Sequence, residues 1–135
     1  MFERDRAASG AGIVLEEVSG GRAVARMKVT EEMANAHGIG HGGYVFLLAD
    51  AAFSYACNSY GPVALAQGAQ IAFLAPAQLG DELVAEAVER TMAGRQGVYD
   101  VTVRTAAGTV VAEFRGQSVL VAGVPHSGSG ASHGG

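Results

Sequence analysis

One segment of this chain alternates apolar and polar positions with a period of two, further strand-like apolar segments are punctuated by glycine and proline, and one long stretch is apolar almost all round. Ala23, Ala25, Met27 and Val29 alternate with Arg22, Arg26, Lys28 and Thr30, which predicts a strand with one wet face. Ala11 to Ser19 precedes it across Ser19, Gly20 and Gly21 and completes a hairpin. Val63 to Ala75, Asp81 to Ala93, Arg95 to Ala106 and Thr109 to Val121 read as four further strands. Their breaks fall at Pro76 with Gly80, at Gly94 and at Gly108, and links this short join antiparallel neighbours. The exception runs from about His41 to Tyr60, after a polar connection Glu31 to Gly40, and Gly61 with Pro62 stops it. From Val45 to Cys57 its apolar residues cover nearly the whole circumference, so this helix is expected at the centre, wrapped by protein. Strands before and after a single helix predict an α+β fold, an antiparallel sheet of five to six strands curled around one long helix.

A length of 135 residues with 49% hydrophobic content fits one domain with a real core. That domain is expected over 1–122, followed by a flexible Gly/Ser/His tail over 123–135, where almost nothing apolar remains. A net charge of −4 without a basic cluster argues against nucleic acid as a partner. No apolar run approaches the roughly 18 uncharged residues of a membrane span, and the N-terminal residues are too charged for a signal peptide. A cytoplasmic location is the expectation. The single cysteine, Cys57, cannot close an internal disulfide, in keeping with a reducing compartment.

The helical stretch also carries the candidate chemistry. Asp50 stands in the middle of an apolar run, where an unpartnered carboxylate costs several kcal/mol, so ion pairing or catalysis is the expected use. Gly42 and Gly43 open the helix, where first-turn N–H groups point outward with about half a positive charge. Without a Cβ, Gly42 lets a substrate carbonyl approach the backbone, the geometry that stabilises an acyl-transfer oxyanion. Eight residues at about 1.5 Å each separate Gly42 from Asp50 by roughly 12 Å. An attacking group must come within about 3–3.5 Å of its carbon, so one copy of the helix cannot supply both groups to one site. Two antiparallel copies related by a twofold axis can, with Gly42 of one facing Asp50 of the other. Ser54 shares a helix face with Asp50 at i+4 and can hold the carboxylate or a water, and Asn35 falls on the Gly42 side.

Competing readings are weaker. Asp50 could merely fix a dimer through a partner's hydroxyl or helix end. His37 and His41 have metal-like spacing, but Gly38 and Gly40 between them argue for a loop, and no third ligand is apparent, so no metal is expected. Gly38, Gly40 and Gly43 spell the dinucleotide-binding glycine pattern without the strand that must precede it. Cys57 reads as a buried, inert thiol. Phe46, Phe53, Tyr55 and Phe73 read as core, although an aromatic wall would suit an aryl acyl group.

The chain resembles the hotdog-fold acyl-CoA thioesterases, most closely the phenylacetic acid degradation PaaI family. The likeness rests on Asn35 with His41, Gly42 and Gly43, on Leu48 to Asp50 running into Ala52 and Phe53, and on Tyr55 to Ser59. Phe73, Leu74 and Pro76, then Gly97 to Asp100, and finally Phe114 to Gly116 extend it. The resemblance implies a catalytic set: Asp50 as nucleophile or general base, the Gly42 N–H polarising the thioester carbonyl, Asn35 and Ser54 assisting, and His41 bracing the helix entrance. It implies coenzyme A as part of the substrate and no separate cofactor. Gly43, Arg95, Gln96 and Gly97 are candidates for touching the substrate, with Arg90 and Arg95 as a cationic pair for its anionic end. A homodimer is required for the site, and a tetramer, a dimer of dimers, is implied. The rivals are an acyl-CoA hydratase or dehydratase on the same scaffold, which would need His41 at the substrate's α or β carbon, and a non-catalytic acyl-CoA-binding module.

Overall fold

The structure, a computed structural model, describes residues 10–121. The expected tail over 123–135 and the domain boundary at 122 lie outside the described residues. Six strands, β1 Val14–Ser19, β2 Arg22–Lys28, β3 Ala64–Phe73, β4 Glu82–Ala93, β5 Gln96–Thr105 and β6 Val110–Leu120, accompany one long helix, α1 Gly42–Cys57. All pairings are antiparallel in the order β1-β2-β4-β5-β6-β3. This is the expected hotdog arrangement with six strands, each within a few residues of its reading.

α1 ends at Cys57 rather than near Tyr60 because Asn58 becomes its C-cap and turns its side chain to the start of β3. A 3-10 turn, Glu31–Met33, occupies part of the connection read as polar loop. The link at Pro76 with Gly80 does not join antiparallel neighbours as expected, because β3 and β4 lie apart in the sheet. After the helix, β3 crosses to the far edge and pairs with β6, the last strand, leaving β2 and β4 adjacent.

Small residues let the helix lie close to the sheet. Ala23 and Ala25 of β2, Ala85 and Ala87 of β4 and Ala112 of β6 are fully buried, in one core with Leu48, Ala49, Ala52 and Phe53 of α1. Phe53 packs at 5.7 Å ring-to-ring against both Tyr99 and Phe114, and burying such a ring stabilises by about 1.5–3 kcal/mol. Its ring lies directly on the backbone of Gly116, where a Cβ would meet ring carbons at 2.7–2.8 Å. Desolvation raises the pKa of the buried Tyr99 hydroxyl well above its ordinary value, so it stays neutral.

The helix is not wrapped on all sides. Gly43 and Phe46 are exposed and Leu47 and Asp50 half-buried, a stripe at helical spacing that the chain's own sheet leaves uncovered. Two of the aromatics read as core share this openness: Phe46 is 37% and Phe73 54% exposed, whereas Phe53 is buried. A single curled sheet covers only one side of a helix, and an all-round apolar helix then needs a second surface.

Candidate active site

The loop before α1 is built around Asn35. Its side-chain Oδ1 accepts from the backbone N–H of His37 at 2.9 Å and of Ile39 at 3.1 Å, while its own N–H donates to the Ile39 carbonyl at 2.8 Å. This self-bonding asparagine turn delivers Gly40, whose N–H donates to the Ala77 carbonyl at 2.6 Å, and His41, whose N–H donates to the Met33 carbonyl at 2.8 Å. With Oδ1 so engaged, the amide NH2 is the part of Asn35 suited to act on a ligand. The connection is a loop on a 3-10 turn, with no strand leading into the glycines, so the dinucleotide-binding pattern lacks its context here as well.

His41 is the N-cap in extended geometry, φ −67 and ψ 140, and its side chain makes no capping bond. Its contribution to the helix entrance is through the backbone: its carbonyl accepts from Tyr44 N–H at 3.0 Å. That leaves the N–H groups of Gly42 and Gly43 as the outward donors of the first turn. Above Gly42 lies the ring of Phe73, which a Cβ at Gly42 would meet at 3.0–3.4 Å. The glycine therefore does two things, opening the backbone and admitting an aromatic wall.

Asp50 lies two turns along α1, half-buried on the uncovered stripe, and Ser54 follows one turn later, buried. The Ser54 carbonyl accepts from the Asn58 backbone N–H at 3.1 Å and from Asn58 Nδ2 at 2.9 Å. Asn58 Nδ2 also donates to the Ala64 carbonyl at 3.2 Å, and Asn58 Oδ1 accepts from Ala64 N–H at 2.9 Å. Asn58 thus fastens the helix end to the head of β3. Its position after the last apolar residue was the available signal, and the sequence reading assigned it no role.

Within one chain these residues form three groups. Asn35, His41, Gly42 and Gly43 gather at the helix N-terminus, and Asp50 with Ser54 stands roughly 12 Å along the axis. Arg95, Gln96 and Gly97 lie at the opposite end of the sheet: Gln96 pairs with Val119, the Arg95 carbonyl accepts from Leu120, and Leu120 pairs with the Ala64 that Asn58 holds. Gln96 and Gly97 line a cavity of about 430 Å3 there with Gln67 and Gln117. Arg90 Nε sits 3.2 Å from Asp100 on the outer face of the sheet, whereas Arg95 is exposed in the β4–β5 turn. A bulge between Glu89 and Thr91 places Arg90 beside Asp100. Arg115 reaches the same carboxylate through two bonds, at 2.7 and 2.9 Å, and this hydrogen bonding holds Asp100 below its ordinary pKa.

A second cavity adjoins Gly42. It measures about 380 Å3, and its lining includes Ile39, Gly42, Val45, Phe73, Leu74 and Val111. Among the described residues no group of three His, Cys, Asp or Glu side chains is placed to hold a metal ion, and no helix is long and apolar enough to cross a membrane.

Comparison with known proteins agrees with this architecture. Residues 37–112 match the family model of the thioesterase superfamily. The chain is 43% identical over 123 residues to the acyl-coenzyme A thioesterase PaaI of Escherichia coli (strain K12), covering 91% of this chain and 88% of that one. The solved structure of the E. coli PaaI protein from the phenylacetic acid degradation operon superposes with a TM-score of 0.86, covering 92% of this chain and 90% of that one. A mutant of the phenylacetic acid degradation protein PaaI from Thermus thermophilus is 32% identical, with a TM-score of 0.82 over 87% of this chain and all of that one.

Proposed function

The chain belongs to the thioesterase superfamily and is an acyl-CoA thioesterase of the PaaI type, and we propose that it hydrolyses phenylacetyl-CoA or a ring-hydroxylated relative at a site shared by two subunits. The observation that carries the reading is the uncovered stripe of α1, which runs from the donor end at Gly42 and Gly43 to the carboxylate of Asp50.

The two edges of the sheet support the pairing of copies. β1 is guarded by charge: Glu17 pairs with Arg22 at 2.7 Å and Glu16 with Arg26, and a bulge interrupts its ladder. Such devices discourage a further strand. β3, with the sequence ALAQGAQIAF, carries no charge over ten residues, and Leu65 and Phe73 on it are 49% and 54% exposed. A second copy adding its β3 antiparallel would continue the sheet and lay the two helices side by side in opposite directions. Gly42 of each chain would then approach Asp50 of the other. Dimers of this kind pair into a tetramer in the proposal, and the enzyme works in the cytoplasm.

In the reaction, the thioester carbonyl oxygen accepts the Gly42 N–H. Attack on the carbonyl carbon forms a C–O bond and moves the carbonyl electron pair onto that oxygen, where the helix end stabilises it. Collapse breaks the C–S bond, and coenzyme A departs as a thiolate that takes up a proton. The attacking oxygen comes either from Asp50 itself, with water then cleaving the acyl-enzyme anhydride, or from a water that Asp50 deprotonates. Label from solvent oxygen appearing in Asp50 after a single turnover identifies the first route. Asn35 and Ser54 serve leaving group and water, and Gly43, Gln96, Gly97 and Arg95 the coenzyme arm. No metal or separate cofactor takes part in the proposal.

Two measurements test this. Thiol release from phenylacetyl-CoA, followed with a colorimetric thiol reagent, separates hydrolysis from mere binding. Complementation tests the shared site. Gly42→Pro deletes the N–H at a first helical position that tolerates proline, and the extended His41 before it has the backbone a pre-proline residue needs. Mixed with Asp50→Asn subunits, it forms heterodimers in which one site carries both lesions and the other neither. Recovery of activity on subunit exchange is the expected result, and two dead variants that stay dead when mixed would end the cross-subunit mechanism.

A further inference from the structure

The 380 Å3 cavity beside Gly42 is lined without a single charged or amide side chain: Ile39, Val45, Phe73, Leu74, Pro76 and Val111 supply most of its wall. Its size lies in the range of small-molecule pockets, roughly 300–1,000 Å3. Of the two branches that leave a thioester carbonyl, the coenzyme arm carries two amides that need hydrogen-bond partners, and an apolar wall leaves them unsatisfied. A hydrocarbon or aryl group loses nothing there. The other cavity, lined by Gln67, Gln96 and Gln117 at the opposite end of the sheet, has the complementary chemistry.

Val111 occupies a special place in the apolar cavity. The β5–β6 ladder shifts register so that Val103 pairs with Ala112 while Arg104 pairs with Val110, leaving Val111 as the extra residue of a bulge. A bulge re-aims a side chain, and here consecutive residues Val111 and Ala112 are both buried, at 1% and 0% exposure. The Val111 carbonyl accepts from the N–H groups of Leu74 and Ala75 at 2.8 and 3.2 Å, so the same residue that floors the cavity also anchors its outer wall.

Building on the hydrolase reading above, we propose that this cavity receives the acyl group and that Val111 is the residue that sets how large that group can be. The carbonyl sits at the Gly42 N–H, the acyl chain turns toward Val111, and the Phe73 ring flanks it, an arrangement suited to a compact aryl group.

The test compares kcat/KM for acetyl-CoA, phenylacetyl-CoA and 2-naphthylacetyl-CoA in the parent enzyme as purified, in Val111→Leu and in Val111→Ala, with circular dichroism as the check on folding. A methylene in or out of an apolar pocket changes discrimination by about 10- to 200-fold. Val111→Leu is expected to lower the phenylacetyl-to-acetyl ratio at least about tenfold, and Val111→Ala to raise the naphthylacetyl-to-phenylacetyl ratio by a similar factor. Ile39→Ala, at the half-buried side wall, is expected to act in the direction of Val111→Ala and stands in if a Val111 variant fails to fold. Hydrolysis with ratios unchanged in every folded variant overturns the assignment of the cavity, as would be the case if the partner subunit fills it, and leaves the hydrolase reading intact. A parent enzyme that releases no thiol from any of the three overturns both.

Discussion

The two ends of α1 are built on opposite plans. At its C-terminal end the polar groups are closed within the chain. Asn58 bonds Ser54 and both backbone groups of Ala64, Ser59 Oγ accepts from Gly21 N–H at 2.8 Å and donates to the Ala56 carbonyl, and the Tyr60 hydroxyl donates to Glu89 at 2.6 Å. Beneath them Phe53 is pressed onto Gly116 without a gap. At the N-terminal end the donors point outward, Phe73 is half in solvent, and an apolar cavity lies open beside Gly42. One end holds the fold, and in the proposed function the other is left for a ligand and a second copy. A single helix can thus divide stability from chemistry along its length.

If that division holds, damage to the two ends separates cleanly into lost activity and lost stability. The largest effect belongs to Asp50→Asn, which keeps the side chain's size but removes the proposed base or nucleophile. Its kcat is expected to fall by about 10²–10⁴-fold with the melting temperature and elution volume unchanged, measured by steady-state thiol release beside thermal denaturation. A variant at parental speed would remove Asp50 from the mechanism. Gly42→Pro deletes the proposed oxyanion donor and should lower kcat by about 10²–10³-fold, with some loss in unfolding midpoint because the proline Cβ presses on the Phe73 ring, which must give way.

The closed end should respond in the other currency. Gly116→Ala forces a methyl into the Phe53 ring, whose nearest carbon is 2.7 Å from the new Cβ. Overpacking of this kind costs about 1–3 kcal/mol in urea or thermal unfolding. Asn58→Ala leaves the Ala64 N–H and carbonyl without their bonds, for about 1–3 kcal/mol, while turnover per folded molecule below the midpoint stays near the parental value. Should Asn58→Ala instead abolish turnover in a fully folded protein, the ends are coupled and the division fails.

The smallest effect lies outside both ends and calibrates the scale. Arg115→Gln removes the main cause of the lowered Asp100 pKa. A carboxylate depressed in the folded state stabilises above its ordinary value of 3.8, and that stabilisation fades as pH falls through the lower folded value. The parent should therefore be only slightly more stable than the variant at neutral pH, because the pair is solvent-exposed. The difference should vanish in acid below the folded pKa of Asp100.

Much of this was legible in the order of residues. Alternation in Arg22 to Thr30 and the glycine and proline breaks between the other apolar segments marked the strands, and the single all-round apolar stretch marked the helix, because side-chain direction follows backbone period and breakers end it. Gly42, Gly43 and Asp50 stood out for the same local reason, a helix entrance without side chains and an acid where acids are costly. The rise of a helix, applied to the spacing of Gly42 and Asp50, was enough to require two copies if both groups serve one carbonyl.

What the order of residues could not state is anything set by contacts between distant segments. The crossing of β3 to the far edge, the bulge that turns Val111 inward, the seating of Phe73 on Gly42 and the engagement of Arg90 by Asp100 all depend on partners on other elements of the fold. Local propensity carries no record of such pairings, since alternation fixes which face a residue takes but not which strand lies beside it. The sequence alone therefore determined the elements and the chemical groups they bear, and tertiary packing decided which end of the helix would be sealed and which would stay open.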